Sequence, residues 1–132
     1  MIYKYAETSW RRARPNIASM LKSDLFREGI DGEAVEWACE RMYAEDYQRR
    51  VLVVISDGCP MDTATSLAND KYYLDNHLKA VLAHQEKIGE VEIFGLGVDL
   101  DLSPFYRRSL VLDLSRQLDN QMINEILQLL VR

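Results

Sequence analysis

Arg49-Arg50-Val51-Leu52-Val53-Val54-Ile55-Ser56-Asp57-Gly58-Cys59-Pro60 is the stretch on which the reading of this chain turns. Its unbroken apolar run, Val51 to Ile55, is bounded by two arginines on one side and by Ser-Asp-Gly on the other. A β-branched run of this length ending in turn chemistry predicts a strand covered on both faces. Such strands belong to parallel sheets sandwiched by helices. Ser56 and Asp57 then stand at the strand's carboxyl end, where open α/β sheets hold their ligands.

Downstream, 58–70 reads as a polar loop and 71–88 as a helix whose shared face carries Tyr73, Leu74, His77, Leu78, Val81 and Leu82. Val91–Val98 predicts a second strand. Its Gly95-Leu96-Gly97 is not a dinucleotide loop, because no third glycine follows at the required offset and the pair lies late in a strand. Ser103 caps a short helical turn with Pro104 at its first position. Leu110–Leu112 is a short third strand. Residues 115–131 close the chain as an amphipathic helix with Leu118, Met122, Ile123, Ile126, Leu127, Leu130 and Val131 inward.

Upstream, Asp31 is a good N-cap for a helix over 32–46, with Ala34, Val35, Ala38, Met42 and Tyr43 on its apolar face and Trp37 beside them. Pro15 disfavours helix at Arg14, so the first helix is expected to start at Asn16 and to stop before Gly29. The order α-α-β-α-β-α-β-α implies parallel strands joined by right-handed crossovers. The fold class is therefore α/β: three layers, a mostly parallel sheet with helices on both faces.

The chain has 132 residues, room for one domain and one core. Apolar residues make up 48% and charged residues 28%, a globular balance, and the net charge of −5 argues against a general nucleic-acid binder. Basic residues gather at Arg11, Arg12 and Arg14, at Arg49-Arg50 and at Arg107-Arg108. Each group is a candidate partner contact, although a solvated flank is the simpler reading. Cys39 and Cys59 lack metal-site spacing and are expected as free thiols of a reducing compartment. No apolar stretch approaches the roughly 20 residues of a membrane span. A cytoplasmic location is expected.

Asp57, the Ser56 hydroxyl and Asp31 offer oxygen ligands of the kind that suit Mg²⁺, with Asp62, Thr63 and Thr65 in reach. A plain Asp-Gly turn and a plain helix cap explain the same residues. His77 and His84 lie close to one helix face, but nothing completes a ligand set around them. No nucleophile–base–orienter set can be assembled, which points away from a self-contained enzyme.

Several words, in order, resemble the cobaltochelatase CobT family, whose C-terminal domain is a von Willebrand factor A (VWA) domain. They are Ile2-Tyr3-Lys4, Trp10-Arg11-Arg12-Ala13-Arg14 with Asn16, Ile30-Asp31-Gly32-Glu33-Ala34 with Trp37-Ala38, Arg49–Gly58, Tyr73-Leu74 with His77-Leu78-Lys79-Ala80-Val81, and Tyr106-Arg107-Arg108. The likeness covers roughly residues 1–113. It implies a partial VWA, Rossmann-like domain, with 1–132 forming its C-terminal part and the first strands lacking. It also implies a non-catalytic subunit that works with an AAA+ ATPase subunit and a large porphyrin-binding subunit to insert Co²⁺ into hydrogenobyrinic acid diamide, with no ATP site in this chain.

VWA metal-ion-dependent adhesion sites join an Asp-x-Ser-x-Ser loop, a threonine loop and an aspartate loop. Under the resemblance Asp57, with Ser56, matches the aspartate loop. Asp31 stands about where the threonine is expected, and the Asp-x-Ser-x-Ser loop is absent. Weak Mg²⁺ binding at best follows. Residues 51–55 would lie at an open sheet edge, a template for association, so a homodimer or larger is expected, through strand pairing or exchange of the N-terminal segment. Two other functions are compatible with the residues: a Mg²⁺-dependent α/β hydrolase or phosphotransferase using Asp57, and a stand-alone VWA-like adaptor.

Overall fold

In the computed structural model, which describes residues 8–19, 29–44, 46–115 and 120–131, the apolar run forms the first strand, β1 (Val51–Ser56). Two helices precede it, α1 (Trp10–Ala18) and α2 (Asp31–Tyr43). After it come α3 (Thr63–Ala68), α4 (Tyr73–Ile88), β2 (Glu92–Val98), β3 (Ser109–Leu112) and α5 (Asn120–Val131). The strands form a three-stranded sheet in the order β1-β2-β3, parallel throughout. β1 runs beside β2 from the pair Val51–Glu92 to the pair Ser56–Gly97.

Alternation along the strands sorts the core into two layers. Leu52, Val54 and Ile93 face α2 and α4, where Val35, Cys39, Leu78, Val81 and Leu82 are buried. Val53, Leu96, Leu110 and Leu112 face α5, where Met122 is buried and Ile126 packs alongside. Burial of side chains of this size contributes about 1.5–3 kcal/mol each. Helices on both faces of a parallel sheet make the α/β three-layer fold expected from the sequence. No helix among the described residues is long and apolar enough to cross a membrane.

Several local expectations change. Helix α1 runs through Pro15 instead of starting after it: the fixed φ of proline is helical, and the helix bears the lost N–H bond and the crowding of the carbonyl one turn back. The helix expected over 16–28 lies largely outside the described residues. Asp31 is the first helical residue of α2, and Ile30 is the cap, with its carbonyl accepting from the N–H of Ala34 at 3.2 Å. The loop 58–70 holds the short helix α3. The turn after β2 is capped by Asp101, which accepts from the Ser103 N–H at 2.8 Å and the Ser103 hydroxyl at 2.9 Å.

The closing helix also differs. Its described part begins at Asn120, and the Ile123, Leu127 and Val131 expected inward are 49%, 52% and 78% exposed. The apolar arc of α5 is wider than the sheet beneath it can cover. β1 departs from its expectation in the same sense: Ile55, at its end, is 66% exposed.

Candidate functional site at the carboxyl end of the sheet

β1 ends in Ser56 and Asp57. The Ser56 hydroxyl donates to the carbonyl of Gly58 at 2.9 Å and accepts from its N–H at 3.4 Å, which closes the tip turn. Asp57 is exposed. The chain then passes Met61, which forms an isolated antiparallel bridge with Gly29. That bridge draws the loop after β1 against the segment leading into Asp31, so two loops distant in sequence meet above the sheet.

Asp31 is half-buried in the first turn of α2 and lines a groove with Ala34, Ala38, Val53 and Ile55. Burial pushes its carboxyl pKa above the ordinary carboxylate value. Asp31 acts in turn on Tyr106, a buried tyrosine whose hydroxyl is raised to about 12 by desolvation first and by the Asp31 charge second. His77 completes this neighbourhood from α4. It stacks on Tyr73 with ring centroids 6.4 Å apart, and its Nδ1 is buried with no hydrogen-bond partner among the described residues. The same imidazole lies against Gly32, where any Cβ would collide with it. Tyr106 and His77 are thus the two side chains beside Asp31 that the sequence pattern does not assign to the tip. The signal for both is a glycine opposite a ring, Gly95 against Tyr106 and Gly32 against His77.

Asp62 serves α3. Its carboxylate accepts from the Thr65 hydroxyl at 2.6 Å and from the Thr65 N–H at 2.8 Å. Those bonds hold its pKa below the ordinary value, the side-chain bond first.

The basic candidates separate. Arg11, Arg12 and Arg14 are exposed on α1, and Arg107 is exposed before β3. Arg108 is engaged at the opposite end of the sheet, donating to Glu92 at 3.0 Å with its guanidinium 5.3 Å from the Phe94 ring centre. Arg49 holds the same Glu92 through Nε at 2.6 Å and reaches the carbonyl of Leu130 at 2.5 Å. The Arg49 hydrogen bond is the main reason that the Glu92 carboxyl lies below its usual range. Arg50 donates to the carbonyl of Met42 at 2.9 Å.

A resident divalent cation does not fit the described residues alone. The Ser56 hydroxyl is occupied by Gly58, and Asp62 is turned onto Thr65. Burial favours the neutral form of Asp31. Among the described residues no group of three or more His, Cys, Asp and Glu side chains could hold a metal ion. Both cysteines are free thiols, Cys39 buried and Cys59 exposed.

The family model for the cobalamin biosynthesis protein CobT VWA domain matches residues 1–132. The chain belongs to that family. No solved structure matches it. The parallel sheet with its two helical layers is consistent with the α/β, Rossmann-like fold of a VWA domain. The family places the chain in cobalamin biosynthesis, at the level of cobalt chelation. The glycines of β2 also find their explanation here. A Cβ on Gly95 would stand 2.8 Å from the Tyr106 ring, and one on Gly97 would meet the Leu100 carbonyl, so both serve close packing.

Proposed function

We propose that this chain is a non-catalytic interaction module of an ATP-dependent aerobic cobaltochelatase. The complex inserts Co²⁺, its substrate, into hydrogenobyrinic acid diamide in the cytoplasm. An AAA+ ATPase subunit and a large porphyrin-binding subunit are its partners, and the chain carries no ATP site of its own. The observation that supports this reading is the family match along residues 1–132. The surface chemistry agrees with docking: Arg11, Arg12 and Arg14 project from α1, and Arg107 stands apart from the Glu92 network that engages Arg108.

The tip is MIDAS-like in position. Asp57, Asp31 and Ser56 are the oxygen-bearing residues that this chain contributes there, and they bind Mg²⁺ weakly at best. Hard cations need six or so oxygens in a fixed shell, and the oxygens of Ser56 and Asp62 are already engaged within the fold.

The test is a titration of the labelled chain with the AAA+ subunit, followed by fluorescence anisotropy with and without Mg²⁺. Saturable binding is expected, weakened about tenfold or more when Arg11, Arg12 and Arg14 are changed to Glu, with little dependence on Mg²⁺. Absence of binding to both the AAA+ and the large subunit would overturn the reading. Micromolar Mg²⁺ affinity by calorimetry would overturn the account of the tip.

A further inference from the structure

β3 has β2 on one side and, among the described residues, no strand on the other. The N–H of Gly95 donates to the carbonyl of Arg108 at 2.9 Å, and the N–H of Asp99 donates to the carbonyl of Leu112 at 2.8 Å. Those bonds set the alternation along the strand: Arg108, Leu110 and Leu112 turn their backbone groups toward β2, while Ser109 and Val111 turn theirs outward. The side chains alternate as well. Leu110 and Leu112 face α5, and Val111, on the other face, is 47% exposed. A groove of about 430 Å³ opens between the start of β3 and α5, lined by Arg107, Leu110, Gln128 and Leu129 among others. Helix α5 stands back from this edge, because it also packs on Val53 of β1 and Leu96 of β2. An edge of this kind is a template for strand addition.

We propose that a second copy of this chain occupies the β3 edge, pairing β3 with β3 antiparallel about a two-fold axis at Leu110. The charge pattern selects this occupant and its register. Arg107 is exposed just before the strand, and Asp113 follows its end. With Leu110 opposite its own copy, Arg107 faces Asp113 of the second copy at each end of the shared ladder. Asp113 accepts from Ser115 through Oδ1, and a carboxylate accepts more than one donor. Moving the register two residues in either direction sets Arg107 against Val111 or against Ser115 and loses that match. The backbone agrees independently. Ser109 and Val111 carry the outward groups, and in this register they are the residues that exchange N–H and C=O bonds across the axis. The helices leave room for the pairing. With strands about 4.8 Å apart and α5 centred over the middle strand, the two α5 helices lie roughly 14 Å from each other, beyond the ~8–10 Å of packed helices. Leu110 of each copy then projects into the space beside the other's groove. The interface is isologous and closes at two copies. It takes up Arg107 and leaves α1 outside, so docking through Arg11, Arg12 and Arg14 stands or falls separately.

Sedimentation of the 132-residue chain at micromolar concentration tests the pairing. A dimer is expected. Val111→Pro is expected to give a folded monomer by circular dichroism, because the Val111 N–H points away from β2 and an edge strand tolerates proline at such a position. Arg107→Asp and Asp113→Arg should each weaken dimerisation about tenfold or more, and the two together should restore it, which a merely structural role of either residue would not produce. Leu110→Cys, made with Cys59→Ser, fixes the register. Antiparallel partners outside the hydrogen-bonded pairs lie about 4.5 Å apart at Cα, within disulfide reach, so mild oxidation should link the two copies. A monomer, a dimer indifferent to Val111→Pro, a charge exchange that fails to restore the dimer, or a Leu110→Cys dimer that stays unlinked would each overturn the proposal.

Discussion

Tyr106 packs against the bare backbone of Gly95, so closely that a Cβ on the glycine would stand 2.8 Å from two atoms of the ring. The ring is buried, 4% exposed, in the layer between the sheet and α2 and α4. Gly95 is paired on both sides, with Val54 of β1 and Ser109 of β3, so the backbone has little room to yield. Gly95→Ala is therefore an overpacking change, expected to cost about 1–3 kcal/mol in urea unfolding. Combining it with Tyr106→Leu should recover part of that loss, since residues in contact are not additive.

Asp31 carries a stability cost that depends on pH. Its folded carboxyl titrates above the ordinary value because of burial, so the fold binds a proton there more tightly than the unfolded chain does. The associated stability is complete below the unfolded value of 3.8 and is lost as pH rises through the folded value. Asp31→Asn removes that loss. It should raise the melting temperature at neutral pH by the equivalent of less than about 1 kcal/mol, given a half-exposed group screened by solvent. The gain should vanish in acid, below the unfolded value.

Asp62 has the opposite sign. Two bonds from Thr65 depress its pKa, so its contribution is present above 3.8 and is lost as pH falls through the lower folded value. Helix α3 has six residues and none of them is buried, so the cap supplies most of what holds it. Asp62→Ala is expected to speed amide exchange at Thr65 and Ser66 while leaving the global melt nearly unchanged. A large fall in melting temperature would contradict this division between local and global stability.

The three strands and the layered class were legible because their signals are local. Val51–Ile55 is apolar at every position, and Val91–Val98 ends in glycine and acid. The position of Asp31 was harder to read. Cap and first helical residue differ by one place, and only the Ile30 carbonyl bond to Ala34 decides between them. The inward set of α5 was misjudged for a different reason. Helical periodicity marks Ile123, Leu127 and Val131 as apolar but cannot say how much sheet is available to cover them. The candidates Ser56, Asp57 and Asp31 are singled out by type and position, but what Ser56 bonds to is a property of the turn and not of the residue. The Gly29–Met61 bridge, which brings the two loops together, leaves no pattern in the sequence at all.

Glu92 is gripped by Arg49 from before β1 and by Arg108 from before β3, and Arg49 also holds the last turn of α5. The foot of the sheet is therefore riveted through one carboxylate, while the loops that carry Asp57 and Asp31 lie at the far end and take no part in it. A protein built in this way can accept substitutions at its tip without loosening the frame that presents it.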